Sequence, residues 1–320
     1  MSSEATWRPR DAQRLLLTAA LGNDPVDAIN RWQDLVDFDD VDTASTSILP
    51  LVAARLPKEA PEESGGRPAQ SRGGRLNGLR RRCLYLNRLL LTDVTAALTA
   101  LDDASIATVL AGGLAVLDAY PDHSQRPLHD AELLIARPDL ARATQVLTDL
   151  GCTVTDASQV TSPRGQTWSL VQRLRGTEPG WVDSIDDLPA STLTSTEVAG
   201  SVRRRFAPHV MLVEAAVAGL WPSTDPAVLW ILDAQRLATQ VDPTQLVSHA
   251  RAHGAAHLTR VALTEARSCG ATAIPSDWLR ALARAPWSAV EVTAVRERSG
   301  MSAGRARLQW LAQWVGREGA

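Results

Sequence analysis

The sequence has almost no lysine: Lys58 is the one lysine among 33 basic residues, and arginine supplies the rest. Together with abundant alanine, leucine and valine, this reads as a GC-rich coding bias, not as arginine gathered for phosphate binding. Aromatic residues other than the ten tryptophans are scarce, with two tyrosines and two phenylalanines. Cysteine is scarce too. Cys83, Cys152 and Cys269 are odd in number, far apart and form no CxxC pair, which excludes a disulfide framework and a zinc ribbon. Long hydrophobic runs are missing: Val210 to Trp221 is the longest nearly apolar stretch, and Glu214 interrupts it. A membrane-spanning helix needs about 20 apolar residues, so none is expected. The first ten residues have no apolar core and do not read as a signal peptide, so a cytoplasmic location is expected. A net charge of -3 excludes a polycation with global attraction to nucleic acid and leaves only local patches to consider. No G-x-S-x-G occurs, so no serine triad can be argued.

What remains is ordinary globular composition, 45% hydrophobic and 22% charged, in a chain long enough for roughly two domains at about 150 residues each. Residues 1–56 read as an N-terminal helical segment. Leu15, Leu16, Ala19 and Ala20 form one stripe, Ile29, Trp32, Leu35 and Val36 another, and a third helix is expected from Thr43 to Leu56. Asp24 before Pro25 is a cap followed by a first-turn proline. Residues 57–75 are rich in proline, glycine, serine and arginine and read as an exposed loop. Residues 76–207 then read as a long helix, Leu76 to Leu101, leading into an α/β core. Strands are expected at Ile106–Leu110, Asp130–Ile135, Val154, Trp168–Leu174 and Trp181–Ile185. Helices are expected at Ala115–Tyr120 and from Pro138 to Leu150, with Gly151 as the stop. Residues 208–320 read as helical, punctuated by Asp225-Pro226 and Asp242-Pro243. The fold class expected is α+β: a small mixed sheet domain between N-terminal helices and a helical C-terminal half.

The chemistry-bearing segment runs from Val109 to Ile135. A strand ending in Gly112-Gly113 at a helix start exposes backbone N–H groups with no side chain in the way, which suits a phosphate. Asp130 and Glu132, at i and i+2 of a strand, project from one face roughly 7 Å apart. Two such carboxylates repel by about 1 kcal/mol at 4 Å in water and by about 4 at an effective dielectric of 20, and a divalent cation removes the penalty. Oxygen ligands favour Mg²⁺ or Mn²⁺. The plain alternative is a half-exposed strand whose charges face water. Asp183 is the candidate third carboxylate, able to extend the metal site and to help deprotonate a hydroxyl; otherwise Asp183, Asp186 and Asp187 form an acidic loop. Arg126 could neutralise phosphate or form a salt bridge to Asp122 or Asp130.

These residues resemble an uncharacterised bacterial nucleotidyltransferase family within the polymerase-beta-like nucleotidyltransferase superfamily. The likeness rests on Leu110 and Gly112, on Tyr120-Pro121, on Arg126-Pro127 followed by Asp130, Glu132, Leu133, Leu134 and Ile135, and on Pro138 and Leu150-Gly151. It extends to the N-terminal helices and to Trp230-Ile231-Leu232-Asp233-Ala234, over residues 11 to 285. The resemblance implies a nucleotidyltransferase-like fold and a metal-dependent reaction. Mg²⁺ or Mn²⁺ would be held by Asp130, Glu132 and Asp183, with Gly112, Gly113 and Arg126 on the phosphates of an NTP. NMP would pass to a hydroxyl of an acceptor (a peptide, protein, tRNA or small metabolite) with release of pyrophosphate. Where the family has a lysine this chain has Ala111, its second aspartate is Glu132, and the family's later histidine is lost near Asp183. The competing reading is therefore a decayed site on the same fold, serving as a protein-binding or regulatory subunit.

Other clusters read as structure. His249, His253 and His257 are spaced four apart, but Gly254 should end their helix and leave three surface or junction histidines rather than a metal site. His123 and His129 flank the carboxylates as loop residues. Seven arginines between Arg67 and Arg88, and Arg203-Arg204-Arg205, read as solvated faces. The tryptophans read as core.

Overall fold

The computed structural model describes residues 7–56, 72–155, 158–173, 182–198, 200–220, 227–287 and 291. Helices α1 (Asp11–Leu21), α2 (Pro25–Leu35) and α3 (Thr43–Arg55) come first in the chain. Asp24 caps α2 by accepting from the Asp27 N–H at 3.0 Å, with Pro25 in the first turn. Leu16, Leu17, Ala20, Ile29 and Trp32 are buried, so the apolar stripes face the core, although Leu35 is exposed. The long helix α4 (Arg72–Asp103) follows. Most of the 57–75 loop lies outside the described residues, and its last positions are already helical.

The sheet begins with β1 (Thr108–Ala111), which runs directly into the short helix α5 (Gly112–Val116). Helix α5 thus starts at the glycines themselves, ahead of the expected Ala115. Then come β2 (Ala131–Ile135), α6 (Leu140–Asp149), β3 (Thr153–Val154), β4 (Gln159–Thr161), β5 (Thr167–Val171), β6 (Leu193–Val198) and β7 (Ser201–Phe206). Among the described residues the strands make one mixed sheet in the order β3-β4-β5-β2-β1-β7-β6. Strand β2 sits in its middle and is buried throughout. The fully apolar run Leu133-Leu134-Ile135 is what a strand covered on both faces requires.

Two expectations on the sheet need correction. No strand forms at Val182–Ile185. The backbone there is tied to the sheet by single bonds, Val182 N–H to the Gln172 carbonyl and Arg137 N–H to the Val182 carbonyl, and Trp181 lies outside the described residues. Conversely, the β6–β7 hairpin was not expected. It pairs Leu193 with Phe206 through Val198 with Ser201, and Gly200 takes the positive φ of +80° in its turn.

Helices α7 (Pro208–Gly219), α8 (Leu229–Ala238), α9 (Pro243–Ala252), α10 (Ala256–Ser268) and α11 (Ser276–Ala283) complete the described fold. Asp242 caps α9 through the Thr244 and Gln245 N–H groups, at 2.7 and 3.2 Å; Asp225-Pro226 lies outside the described residues. The buried side chains of α1–α3, the sheet and α7–α11 join in one apolar core, which includes Trp32, Trp168, Trp230 and Trp278. No described helix is long and apolar enough to cross a membrane. All three cysteines are buried and unbridged. Burial, reinforced by nearby Asp122, pushes the Cys83 thiol up to about 12, so it is inert as a nucleophile at neutral pH.

Candidate active site

Strand β1 pairs antiparallel with β2, placing Ala111 opposite Glu132. Just beyond, the Gly113 N–H donates to the Asp130 carbonyl at 2.8 Å. That N–H is therefore spent on the fold and is not offered to a phosphate. The glycines serve close approach instead. A Cβ on Gly113 would lie 2.3 Å from Asp130 Oδ1 and 2.4 Å from Arg126 Nη1; one on Gly112 would lie 2.2 Å from the Asp130 carbonyl oxygen and 3.2 Å from the Glu132 carboxyl carbon. Gly112 also holds φ at +52°, a conformation that costs other residues roughly 1–2 kcal/mol before any clash. Gly112→Ala should therefore lower stability by at least about 2 kcal/mol in urea unfolding, as strain and clash combine; a loss under about 0.5 would show that the β1–β2 ends are not this tightly apposed.

Arg126 is the centre of the site and is fully buried. Its loop is fastened to α4. Asn87 donates to the His123 and Arg126 carbonyls, each at 2.7 Å, and accepts from the Leu128 N–H at 3.1 Å. Arg80 donates to Asp122 and to the Ser124 hydroxyl. From this anchor the Arg126 fork donates Nη1 and Nη2 to the two Asp130 carboxylate oxygens, both at 3.0 Å. Its other edge donates Nε and Nη2 to the two oxygens of Asp233 on α8, both at 2.8 Å. The Tyr120 hydroxyl completes Asp233 at 2.7 Å. Of the two roles open to Arg126, the structure shows the salt bridge, to Asp130; Asp122 pairs with Arg80 instead.

Burial opposes ionisation of Asp130, but the Arg126 guanidinium outweighs it and holds the carboxyl below its usual range. Burial likewise opposes charge on Arg126, and the two carboxylates more than restore it. Burial and then the Asp233 charge drive the Tyr120 hydroxyl far above its ordinary value, so it stays a donor.

Asp130, Glu132, Arg126, Asp233 and Gly112 line one cleft of about 70 Å³, partly open to solvent, together with Met211, Glu214, Ala215 and Ala218 of α7. Asp183 is not part of it. It pairs with Arg137 at 2.9 Å, both side chains more than half exposed. Arg137 lies past the C-terminal end of β2 and Asp130 just before its start, roughly 16 Å of strand apart. On β5 the residue beside Glu132 is Ser169, so the neighbouring strand brings no third carboxylate either. Among the described residues no three metal-ligating side chains converge. Ala111 is buried at the end of β1, and the positive charge of the cleft comes from Arg126. His129 is exposed, and His123 contributes its backbone carbonyl to Asn87.

The sequence reading assigned no role to Asp233, Tyr120 or Glu214. Asp233 and Glu214 each carried a signal: a lone carboxylate within an apolar helical run, Trp230–Ala234 and Val210–Trp221, must find a partner or face a cavity.

The model of the uncharacterised nucleotidyltransferase family matches residues 41–270, well over half of the chain. The chain belongs to that family. The matched span holds the glycine turn, Asp130, Glu132, Arg126, Glu214 and Asp233. Among solved structures, the antibiotic-resistance factor ANT(2'')-Ia is similar at 16% identity and a TM-score of 0.38, covering 56% of this chain and 91% of that one. A nucleotidyltransferase-like protein from Paracoccidioides brasiliensis is similar at 18% and 0.39, covering 63% and 94%. ANT(2")-Ia in complex with adenylyl-2"-tobramycin is similar at 13% and 0.39, covering 54% and 97%. No curated protein matches the chain.

Proposed function

We propose that the protein transfers a nucleotidyl group from an NTP to a hydroxyl of an acceptor and releases pyrophosphate, with a divalent cation held by Asp130 and Glu132. The observation that carries this reading is that Asp130, Glu132 and the turn glycine Gly112 line one cleft with a buried arginine, in a chain of the nucleotidyltransferase family. Mg²⁺ is commonly held by one or two carboxylates with substrate phosphates completing its shell, so a two-carboxylate oxygen set suits it without a third protein ligand. When bound, such a cation neutralises phosphate charge. The chain's own residues do the rest: Arg126 fixes the Asp130 carboxylate, Asp233 and Tyr120 fix Arg126, and Gly112 and Gly113 leave the room in which Asp130, Arg126 and Glu132 close on the turn. The acceptor is of the hydroxyl-bearing class already named: peptide, protein, tRNA or small metabolite. A cytoplasmic location, where NTPs are available, belongs to the same reading.

One observation favours a second reading. Both edges of the Arg126 fork are committed to carboxylates and Asp183 is remote, as expected of a non-catalytic relative that binds a protein. Thermal unfolding with each of the four NTPs, with and without Mg²⁺ or Mn²⁺, separates the two. Ligand at 100 times its dissociation constant adds about 2.7 kcal/mol, a shift of several degrees. A metal-dependent shift with one NTP that vanishes in Asp130→Asn is expected. No shift with any NTP and metal would exclude nucleotide chemistry and leave the protein-binding reading.

A further inference from the structure

We infer that the edge of Arg126 that holds Asp130 is the phosphate subsite of the cleft, reached by an exchange of partners. Asp130 turns to the cation, and a nucleotide phosphate takes its place on the guanidinium. The inference rests on the transferase reading above, and it gives a role to the feature that counts against that reading, the commitment of both edges of the fork. A guanidinium has five N–H donors, and all five of Arg126 are in use. Nε and one Nη2 N–H go to Asp233 at 2.8 Å, and one Nη1 N–H goes to the Pro127 carbonyl at 3.2 Å. The remaining two, one from each Nη, go to the two oxygens of Asp130 at 3.0 Å.

The two edges are not alike. On the Asp233 edge both side chains are sealed, 1% and 6% exposed, and the Tyr120 hydroxyl holds the carboxylate as well. On the Asp130 edge the guanidinium is equally sealed, but the carboxylate over it is 41% exposed. Asp130 is thus the cover of that edge and the partner free to leave, while the Gly113 N–H keeps its backbone in place. Two parallel N–H donors on a planar fork match two oxygens of a phosphate as well as those of a carboxylate. Charge couples the two halves of the exchange. A divalent cation on oxygens that still face the guanidinium sets two cations against one carboxylate at a buried edge, where salt screens little. Asp130 leaving alone strands two buried N–H donors of a charged group. A phosphate arriving alone meets the negative charge of Asp130. Each ligand removes the obstacle to the other, so the site takes cation and phosphate as a pair.

The test is a Mn²⁺ titration, read from the electron paramagnetic resonance signal of free Mn²⁺, in chloride and in sulfate at matched ionic strength. Sulfate stands in for the phosphate as a tetrahedral dianion that itself holds Mn²⁺ weakly. Wild type should bind Mn²⁺ about 5–150-fold more tightly in sulfate, the usual range of coupling between two ligands, and Asp130→Asn should lose this binding. Arg126→Met combined with Asp233→Leu removes one charge of each sign and leaves Asp130 uncovered. This double variant should bind Mn²⁺ in chloride more tightly than wild type does, and no more tightly in sulfate. If Arg126 only orients Asp130, the double variant binds Mn²⁺ no better than wild type. That result, equal wild-type affinity in the two salts, or sulfate-coupled binding that persists in Asp130→Asn would overturn the exchange. Each leaves the transferase reading standing, since the NTP-induced thermal shifts test it separately. Should the double variant fail to unfold cooperatively, the two wild-type titrations and Asp130→Asn decide. No Mn²⁺ binding by wild type in either salt removes the metal pair of the transferase reading and the exchange with it.

Discussion

Asp233→Ala should destabilise the protein by about 3–5 kcal/mol, the usual consequence of removing one partner from a buried ion pair. Arg126 is 0% exposed and cannot turn to water. Without Asp233 its Nε has no acceptor, and the Tyr120 hydroxyl loses its acceptor too. Asp130 remains, but it already takes two of the guanidinium's bonds, and its geometry is held by the Gly113 N–H on its carbonyl. At roughly 2–4 °C per kcal/mol for chains of some 150–250 residues, the melting temperature should fall by about 10 °C. Arg126→Met combined with Asp233→Leu should cost less than either single change, because it removes the uncompensated charge instead of exposing it. A loss below about 1 kcal/mol in Asp233→Ala would show that water reaches the guanidinium and that α8 does not clamp the site. This clamp ties α8 to the loop before β2, so the position of Asp130 in the cleft depends on the C-terminal helices.

The sequence made the local chemistry legible where it obeys periodicity and short-range rules. Helices α1–α4 and α6 followed their apolar stripes, Asp24 and Asp242 capped where their spacing said, and Gly112-Gly113 joined a strand to a helix. Asp130 and Glu132 share a cleft although Asp130 lies one residue before β2, where the Arg126 fork holds its carboxylate. What failed was long-range. Asp183 looked like a third carboxylate because Trp181–Ile185 reads as a strand that could lie beside the first pair, yet Arg137 holds it at the other end of β2. The β6–β7 hairpin was obscured by the charged run Arg203-Arg204-Arg205, although Thr194, Thr196, Val198, Gly200 and Val202 were available as a hairpin signal. Asp233 could be noticed as a buried acid, but only the packing of α8 against Tyr120 shows which cation it serves.

The histidines of the C-terminal helices also depart from expectation, and their departure predicts acid sensitivity. His257 is buried, bonded through Nε2 to the Ala285 carbonyl at 2.7 Å and stacked on Trp287, so it is no third member of a face with His249 and His253. Its place is taken by His209 in the first turn of α7, whose ring lies 5.4 Å from that of His249, itself 4.2 Å from that of His253. Burial, then the charges of His253 and His209, lowers His249 to about 3. Burial lowers His253 and also His209, where Asp242 partly opposes it. A depressed folded-state value means that the folded protein binds fewer protons than the unfolded chain, whose histidines titrate near 6.5. The associated stability is complete above pH ~6.5 and is lost as pH falls towards 3. For His249 alone the loss reaches about 2 kcal/mol at pH 5, and His209 and His253 add to it in the same direction. Asp122, held to about 2 mainly by the Ser124 N–H, contributes stability that is lost only below about pH 4 and so adds little between pH 7 and 5. Urea unfolding at pH 7 and pH 5 on wild type and His249→Gln measures the effect through the pH difference, which does not depend on how stable the variant is. The variant should lose at least about 2 kcal/mol less than wild type between the two pH values; equal losses would place the acid-sensitive protons elsewhere and show that His249 accepts its charge inside the fold.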